Sequence, residues 1–189
     1  MKKSLYYLIP LCFAVLMVVI LVPRRIQYEK TLNAVCFRVS ESGQIWSLDP
    51  VDQVQITIDM EKIEYLLINP DKIQGFIELS GFENASYKTE TLKYTTGRKG
   101  DITPEREERI NEQRQEKSLF RLTLDNWDEI RKYSDNLKMI YNEDMDKMLL
   151  HDDKLCKMYF CSESEPDLAE LMAYFEGYYE LSPLLEEPE

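Results

Sequence analysis

The chain has one histidine, six glycines and four cysteines in 189 residues, and each scarcity closes off chemistry. A zinc centre needs several His or Cys ligands at characteristic spacing, and neither His-Glu-x-x-His nor paired Cys-x-x-Cys occurs. Six glycines supply no Gly-rich phosphate loop followed by lysine, no dinucleotide fingerprint and no Gly-x-Ser-x-Gly elbow. The single histidine, His151, sits in Leu149-Leu150-His151-Asp152-Asp153. It reads as part of a solvated turn between two strands. Imidazole beside carboxylates suits several divalent ions, but a metal-dependent sensor would need further ligands from other loops. No metal and no cofactor is expected.

Three cysteines, Cys36, Cys156 and Cys161, lie outside the amino-terminal segment, and an odd number cannot all pair within one chain. In Leu155-Cys156-Lys157-Met158-Tyr159-Phe160-Cys161 strand alternation puts Cys156 with Met158 and Phe160, and Cys161 with Lys157 and Tyr159. Their α-carbons would then stand about 16–17 Å apart, too far for a disulfide. Cys156 reads as a buried thiol, and its apolar face argues against a nucleophile paired with His151. Cys36, in Val35-Cys36-Phe37-Arg38-Val39, falls on the polar face. Cys36 and Cys161 can form a disulfide if their strands are neighbours.

Basic charge is also short. All 35 acidic residues follow position 25, and four of the 23 basic ones precede position 26, so the remainder carries −16 (19 basic against 35 acidic). Such a surface repels nucleic acid and anionic lipid headgroups, so a nucleic-acid partner is excluded.

What the chain does have is an apolar run, Leu5 to Val22, with Lys2 and Lys3 before it and Arg24 and Arg25 after it. Eighteen helical residues span about 27 Å, close to the hydrocarbon thickness of a bilayer. The run is longer than the core of a cleaved signal peptide. Leu21-Val22-Pro23 offers no small-x-small cleavage site, and Ile9-Pro10-Leu11 before Cys12 is unlike a lipidation site. Residues 1–25 are therefore expected to form a retained transmembrane anchor with the bilayer as partner. Flanking charge is nearly balanced. The short Lys-rich tail favours a single-pass protein of the cell membrane whose carboxy-terminal domain is extracytoplasmic.

Residues 26–32 read as a stalk and 33–182 as one domain. Val35, Phe37 and Val39 alternate with polar residues, as do Val54, Ile56, Ile58 and Met60, and a turn near Glu61 before Ile63–Ile68 suggests a hairpin. Asn69-Pro70-Asp71 looks like a helix start, with Ile73, Phe76 and Ile77 on one face and Gly81 as its stop. Tyr87–Thr95 reads as a strand. Residues 96–118 form a charged excursion with a short helix. Strand pattern resumes at Leu119–Leu124, Ile130–Tyr133, Leu137–Tyr141 and Leu155–Cys161. A last helix starts near Ser164-Glu165-Pro166-Asp167 and carries Leu168, Leu171, Met172 and Phe175 at helical spacing. Residues 183–189 form an acidic tail. The expected fold class is α+β: an N-terminal transmembrane helix, then one domain with an antiparallel sheet and two main helices.

The order of anchor, strand, hairpin, Ile68-Asn69-Pro70-Asp71-Lys72-Ile73 and a Tyr87-Lys88 strand resembles small membrane-anchored extracytoplasmic domains of unknown function from Gram-positive bacteria. The resemblance covers residues 1–95 and implies no catalytic residues. Tyr174, Tyr178 and Tyr179 cluster at the last helix and are the candidate partner-binding surface, since tyrosine suits interfaces. The expected function is that of a membrane-anchored, non-enzymatic binding or structural module acting on an envelope protein or peptide. The alternative is an envelope hydrolase with carboxylate acid/base catalysis, for which Asp125 and Asp128 beside Trp127 are the most suggestive acids.

Overall fold

The computed structural model describes residues 10–14, 17, 22–40, 43–65, 70–81, 92–96, 102–110, 116–126, 136–165 and 167–181. Its strands are β1 (Arg24–Arg38), β2 (Gln44–Ile45), β3 (Asp52–Glu64), β4 (Lys72–Ser80), β5 (Leu92–Thr95), β6 (Glu105–Ile110), β7 (Glu116–Asn126), β8 (Asn136–Asn142), β9 (Lys147–Asp152), β10 (Lys157–Ser162) and β11 (Glu180–Leu181). Nine of them form one antiparallel sheet in the order β5-β4-β3-β1-β10-β9-β8-β7-β6. The sheet curls until β5 meets β7, through Tyr94 opposite Asn126 and Thr95 opposite Asp125. Eight strands thus make a nearly closed barrel, and β6 pairs along the free length of β7. An isolated bridge between Ile73 and Ile102 closes the wall where β5 has ended.

The α+β expectation is overturned: the molecule is mostly β. Residues 10–14 and 17 are helical, and the one further helix among the described residues is Leu168–Tyr174. No helix among the described residues is long and apolar enough to cross a membrane. Much of Leu5–Val22 lies outside the described residues.

Alternation explains the barrel. Leu32, Ala34 and Cys36 on β1, Val54, Ile56, Ile58 and Met60 on β3, and Leu137, Met139 and Tyr141 on β8 all point inward and are buried. Eight strands enclose a space just wide enough for such side chains to fill. Outward positions such as Gln53, Gln55 and Thr57 are exposed, so the polarity is the reverse of a membrane-spanning barrel.

The expected helix over 69–81 is β4. Ile73, Ile77 and Leu79 share its inward face with Gly75 between them. Gly75 lies opposite Met60 at φ +135°, and a β-carbon there would stand 2.1 Å from the Asp59 carbonyl oxygen. Only glycine lets β4 approach β3 so closely. Asp71 does not cap a helix. Its carboxylate accepts the Tyr65 amide at 3.1 Å. The expected hairpin at Glu61 is also absent, because β3 runs straight through that position. The stretch read as a stalk, 26–32, lies within β1, and Tyr28 and Leu32 are core residues. The charged excursion contains β6 in place of a helix. Residues 87–91, 127–135 and 182–189, with the expectations placed on them, lie outside the described residues.

The last helix forms as its periodicity predicts. Asp167 caps it by accepting the Glu170 amide at 3.2 Å. Leu171 and Phe175 cover a second apolar cluster on the outer wall, made by Val35, Phe37, Leu149, Met158 and Phe160.

Candidate functional site

Where the sequence-predicted residues lie can be stated residue by residue. Tyr174, Tyr178 and Tyr179 pack against the outer cluster. The Tyr179 ring meets Phe160 edge-on at 5.3 Å, and its hydroxyl donates to the Met172 carbonyl at 3.2 Å. The Lys147 ammonium sits 4.9 Å from the Tyr174 ring centre. These rings seal the helix onto the barrel.

Cys36 and Cys161 are both inside the barrel, fully buried and free. The polar-face reading of Cys36 fails because the outward partner of this alternation, Phe37, is itself covered by the outer cluster. Their strands are neighbours, as a disulfide would require. The register, however, sets Cys36 opposite Tyr159 and Cys161 opposite Ala34. Diagonal partners stand about 7–8 Å apart between α-carbons, beyond ordinary disulfide reach. Burial pushes the Cys36 thiol up to about 12, with Lys157 pulling the other way. Cys156 is half-buried in the β9–β10 turn at φ +49° rather than in a strand, yet it packs on the outer cluster with Met158 and Phe160, the face that alternation assigned to it.

His151 faces outward from β9, with Nδ1 3.2 Å from the Asp153 carboxylate. Burial lowers its pKa, against the opposing pull of Asp153. It lines a groove of about 450 Å³ with Arg121, Lys138 and Tyr178. Asp125 lies on β7, while Trp127 and Asp128 lie outside the described residues. No group of three His, Cys, Asp or Glu side chains among the described residues converges to hold a metal ion.

The most unusual polar arrangement is at one mouth of the barrel, and it centres on Lys62. This lysine continues the inward alternation Val54, Ile56, Ile58, Met60, and its side chain is only 7 % exposed. Its ammonium lies 2.7 Å from Glu64, 3.8 Å from Asp71 and 5.5 Å from the Phe120 ring centre. Burial alone would lower the lysine's pKa. The hydrogen bond and charge of Glu64, with Tyr28 and Asp71 adding to them, together outweigh burial, so the net shift is upward.

Phe120 on β7 and Tyr141 on β8 are cross-strand partners with stacked rings 5.5 Å apart. Tyr28 donates its hydroxyl to the Glu143 carbonyl at 3.2 Å, tying β1 to the β8–β9 turn. Tyr141 is 2 % exposed and its hydroxyl is buried with no hydrogen-bond partner. That hydroxyl lies within electrostatic reach of Tyr28 and Asp71, and burial raises its pKa. Beside Lys62 and Phe120 opens a pocket of about 280 Å³, lined also by Pro70, Thr103, Pro104 and Glu143.

Sequence reading passed over this site because Lys62 looked like a turn residue after Glu61. The available signal was a lysine in phase with four inward apolar residues. A second feature also escaped: Trp46 and Leu48 stand out from the loop after β2, 62 % and 45 % exposed. The opposite end of the barrel interior has a buried pair, in which Tyr94 donates to Asp152.

The chain matches no protein-family model, no curated protein and no solved structure.

Proposed function

We propose that this chain is a non-enzymatic binding module held at a membrane through Leu5–Val22, with the barrel outside the cytoplasm. The observation that carries the binding part is the filled barrel. Inward side chains from all eight strands occupy its interior, so any ligand must meet an end or the outer wall. A module reading also fits the state of the polar groups. Glu64 is engaged by Lys62, and Asp71 by Lys62 and the Tyr65 amide. A carboxylate hydrolase would instead need two acids facing a substrate. The cysteines of the interior are held protonated by burial, which removes them as nucleophiles.

Attachment to the bilayer is supported by the length and flanking charge of the apolar run. Membrane fractionation of the full chain tests it. The wild type should stay with the membrane pellet through a high-salt wash, and Leu16→Glu should release it. A cysteine placed at the exposed outward position Thr57 should react with an impermeant reagent on intact cells. Reaction only after lysis would reverse the orientation, and a wild type in the soluble fraction would remove the tether.

A further inference from the structure

The outer wall built by β7, β8 and β9 concentrates basic residues in an acidic molecule. Its outward positions include Arg121, Lys138, Lys147 and His151. One acid of the carboxy-terminal segment already sits on this wall, where Lys147 donates to Glu170 of the last helix. Further along the wall lies the groove of about 450 Å³. It combines apolar Ile140, Leu149 and Met158 with Arg121, Lys138 and His151. Glu180 is the one acid among its described lining residues, and its carboxylate accepts the Gln44 side-chain amide at 3.2 Å. Asp153, just outside, is shared between Lys138 at 2.8 Å and His151 at 3.2 Å. The Lys138–Asp153 pair is about half exposed on both sides, so it holds the lysine only weakly.

The sequence supplies a segment of matching chemistry at the rim of this groove. Glu180 lines it, and Leu181 closes β11 one residue later. The chain then continues Ser182-Pro183-Leu184-Leu185-Glu186-Glu187-Pro188-Glu189. Extended, these residues reach at most about 26–29 Å. Crossing from β9 over β8 to β7 takes only about 10 Å at ordinary strand spacing. Two leucines come first, to meet an apolar floor, and three glutamates follow, to meet Arg121 and Lys138. Pro183 and Pro188 remove two backbone donors, so recognition of this segment falls to its side chains.

We propose that the groove on the β7–β9 wall is the docking site of the chain's own residues 182–189. Leu184 and Leu185 meet Ile140, Leu149 and Met158, and the glutamates meet Arg121 and Lys138. Docking in this way covers His151 and an apolar floor that otherwise faces solvent. The inference goes beyond the binding-module reading and does not depend on the tether.

His151 is the chain's only histidine, which makes it a single reporter inside the groove. Burial lowers its pKa, so at pH 7 it is in the neutral form that diethyl pyrocarbonate acylates. The test follows that acylation by mass spectrometry on the full chain in an uncharged detergent. Glu186→Gln, Glu187→Gln and Glu189→Gln together should raise the rate at least about threefold, the scale of a few exposed ion pairs. Removing residues 182–189 should raise it by at least as much. Arg121→Gln with Lys138→Gln should raise it in the full chain and add nothing once 182–189 are gone. A synthetic peptide of sequence 182–189 at millimolar concentration, the scale of a tethered segment, should slow the shortened chain again. The same peptide with Gln for Glu should not. Equal rates in the wild type and all variants would overturn the docking. So would a faster rate on removal that neither the Glu→Gln substitutions nor the peptide reproduces, which a loosened fold would give. Protection that disappears on dilution of the full chain would assign the groove to a second copy and overturn the proposal as well. Each of these results leaves the membrane-fractionation result standing, so the two readings fail separately.

Discussion

Two tyrosines in one barrel show how little a residue's identity says without its partner. Tyr94 gives its hydroxyl to Asp152, whose other carboxylate oxygen accepts the Lys154 and Leu155 amides at 3.0 and 2.9 Å. Tyr94→Phe should cost about 1–3 kcal/mol, because it removes a donor from a buried carboxylate. Tyr141 has no such partner, so Tyr141→Phe should be neutral or stabilise by up to about 1 kcal/mol. Denaturant titration of the two variants side by side reads the difference. Equal losses would mean that the Tyr141 hydroxyl is bonded after all. At the same scale, the raised Cys36 thiol links stability to pH. The folded state keeps the proton that the unfolded chain releases near pH 9. The contribution is therefore full below about pH 9 and is lost as pH rises toward about 12. The unfolding midpoint should fall across that window more steeply in the wild type than in Cys36→Ala.

Among the elements, those legible in the sequence are those whose period had one interpretation. The last helix was readable because Leu168, Leu171, Met172 and Phe175 fit a helix and nothing else. The alternation of β3 was readable as far as Met60, and Lys62 then broke the apolar count although it keeps the phase. β4 was misread because Asn69-Pro70-Asp71 is good helix-start grammar, and Asp71 uses its side chain to close a loop instead. The decisive fact for β4 is long-range: Gly75 must pass within contact of the β3 backbone. No local signal carries that, and tertiary contacts override propensity. Gly75→Ala should accordingly destabilise the barrel by about 3 kcal/mol or more, since the new methyl meets backbone and the φ is unfavourable. Loss of no more than about 1 kcal/mol by chemical denaturation would mean that β4 and β3 separate easily. Phe175→Ala should cost about 3–5 kcal/mol by emptying the contact between helix and outer wall.

For the whole molecule, a closed barrel changes what the acidic composition means. An open sheet of this length would leave two edges for pairing with other chains. Here β5 meets β7, and the long excursion that composition marked as merely exposed supplies β6 and the Ile102 bridge. Most of the charge lies outside on a polar wall, with Lys62, Asp52 and Asp152 as buried exceptions, and the apolar residues fill the interior. The candidate site was not legible because it is assembled from β1, β3, β7, β8 and three loops distant in sequence. Its one local clue was the phase of Lys62. The same filling keeps the Cys36 and Cys161 thiols inside the wall, away from solvent. They become reporters of the barrel itself. Site-resolved thiol labelling of the native full chain at pH 8 is the most direct test of a closed, filled barrel. Such a barrel predicts rapid modification of Cys156, which is half-buried in a turn, and of Cys36 and Cys161 only at the rate of unfolding. Modification of all three at similar rates in the folded protein would contradict it.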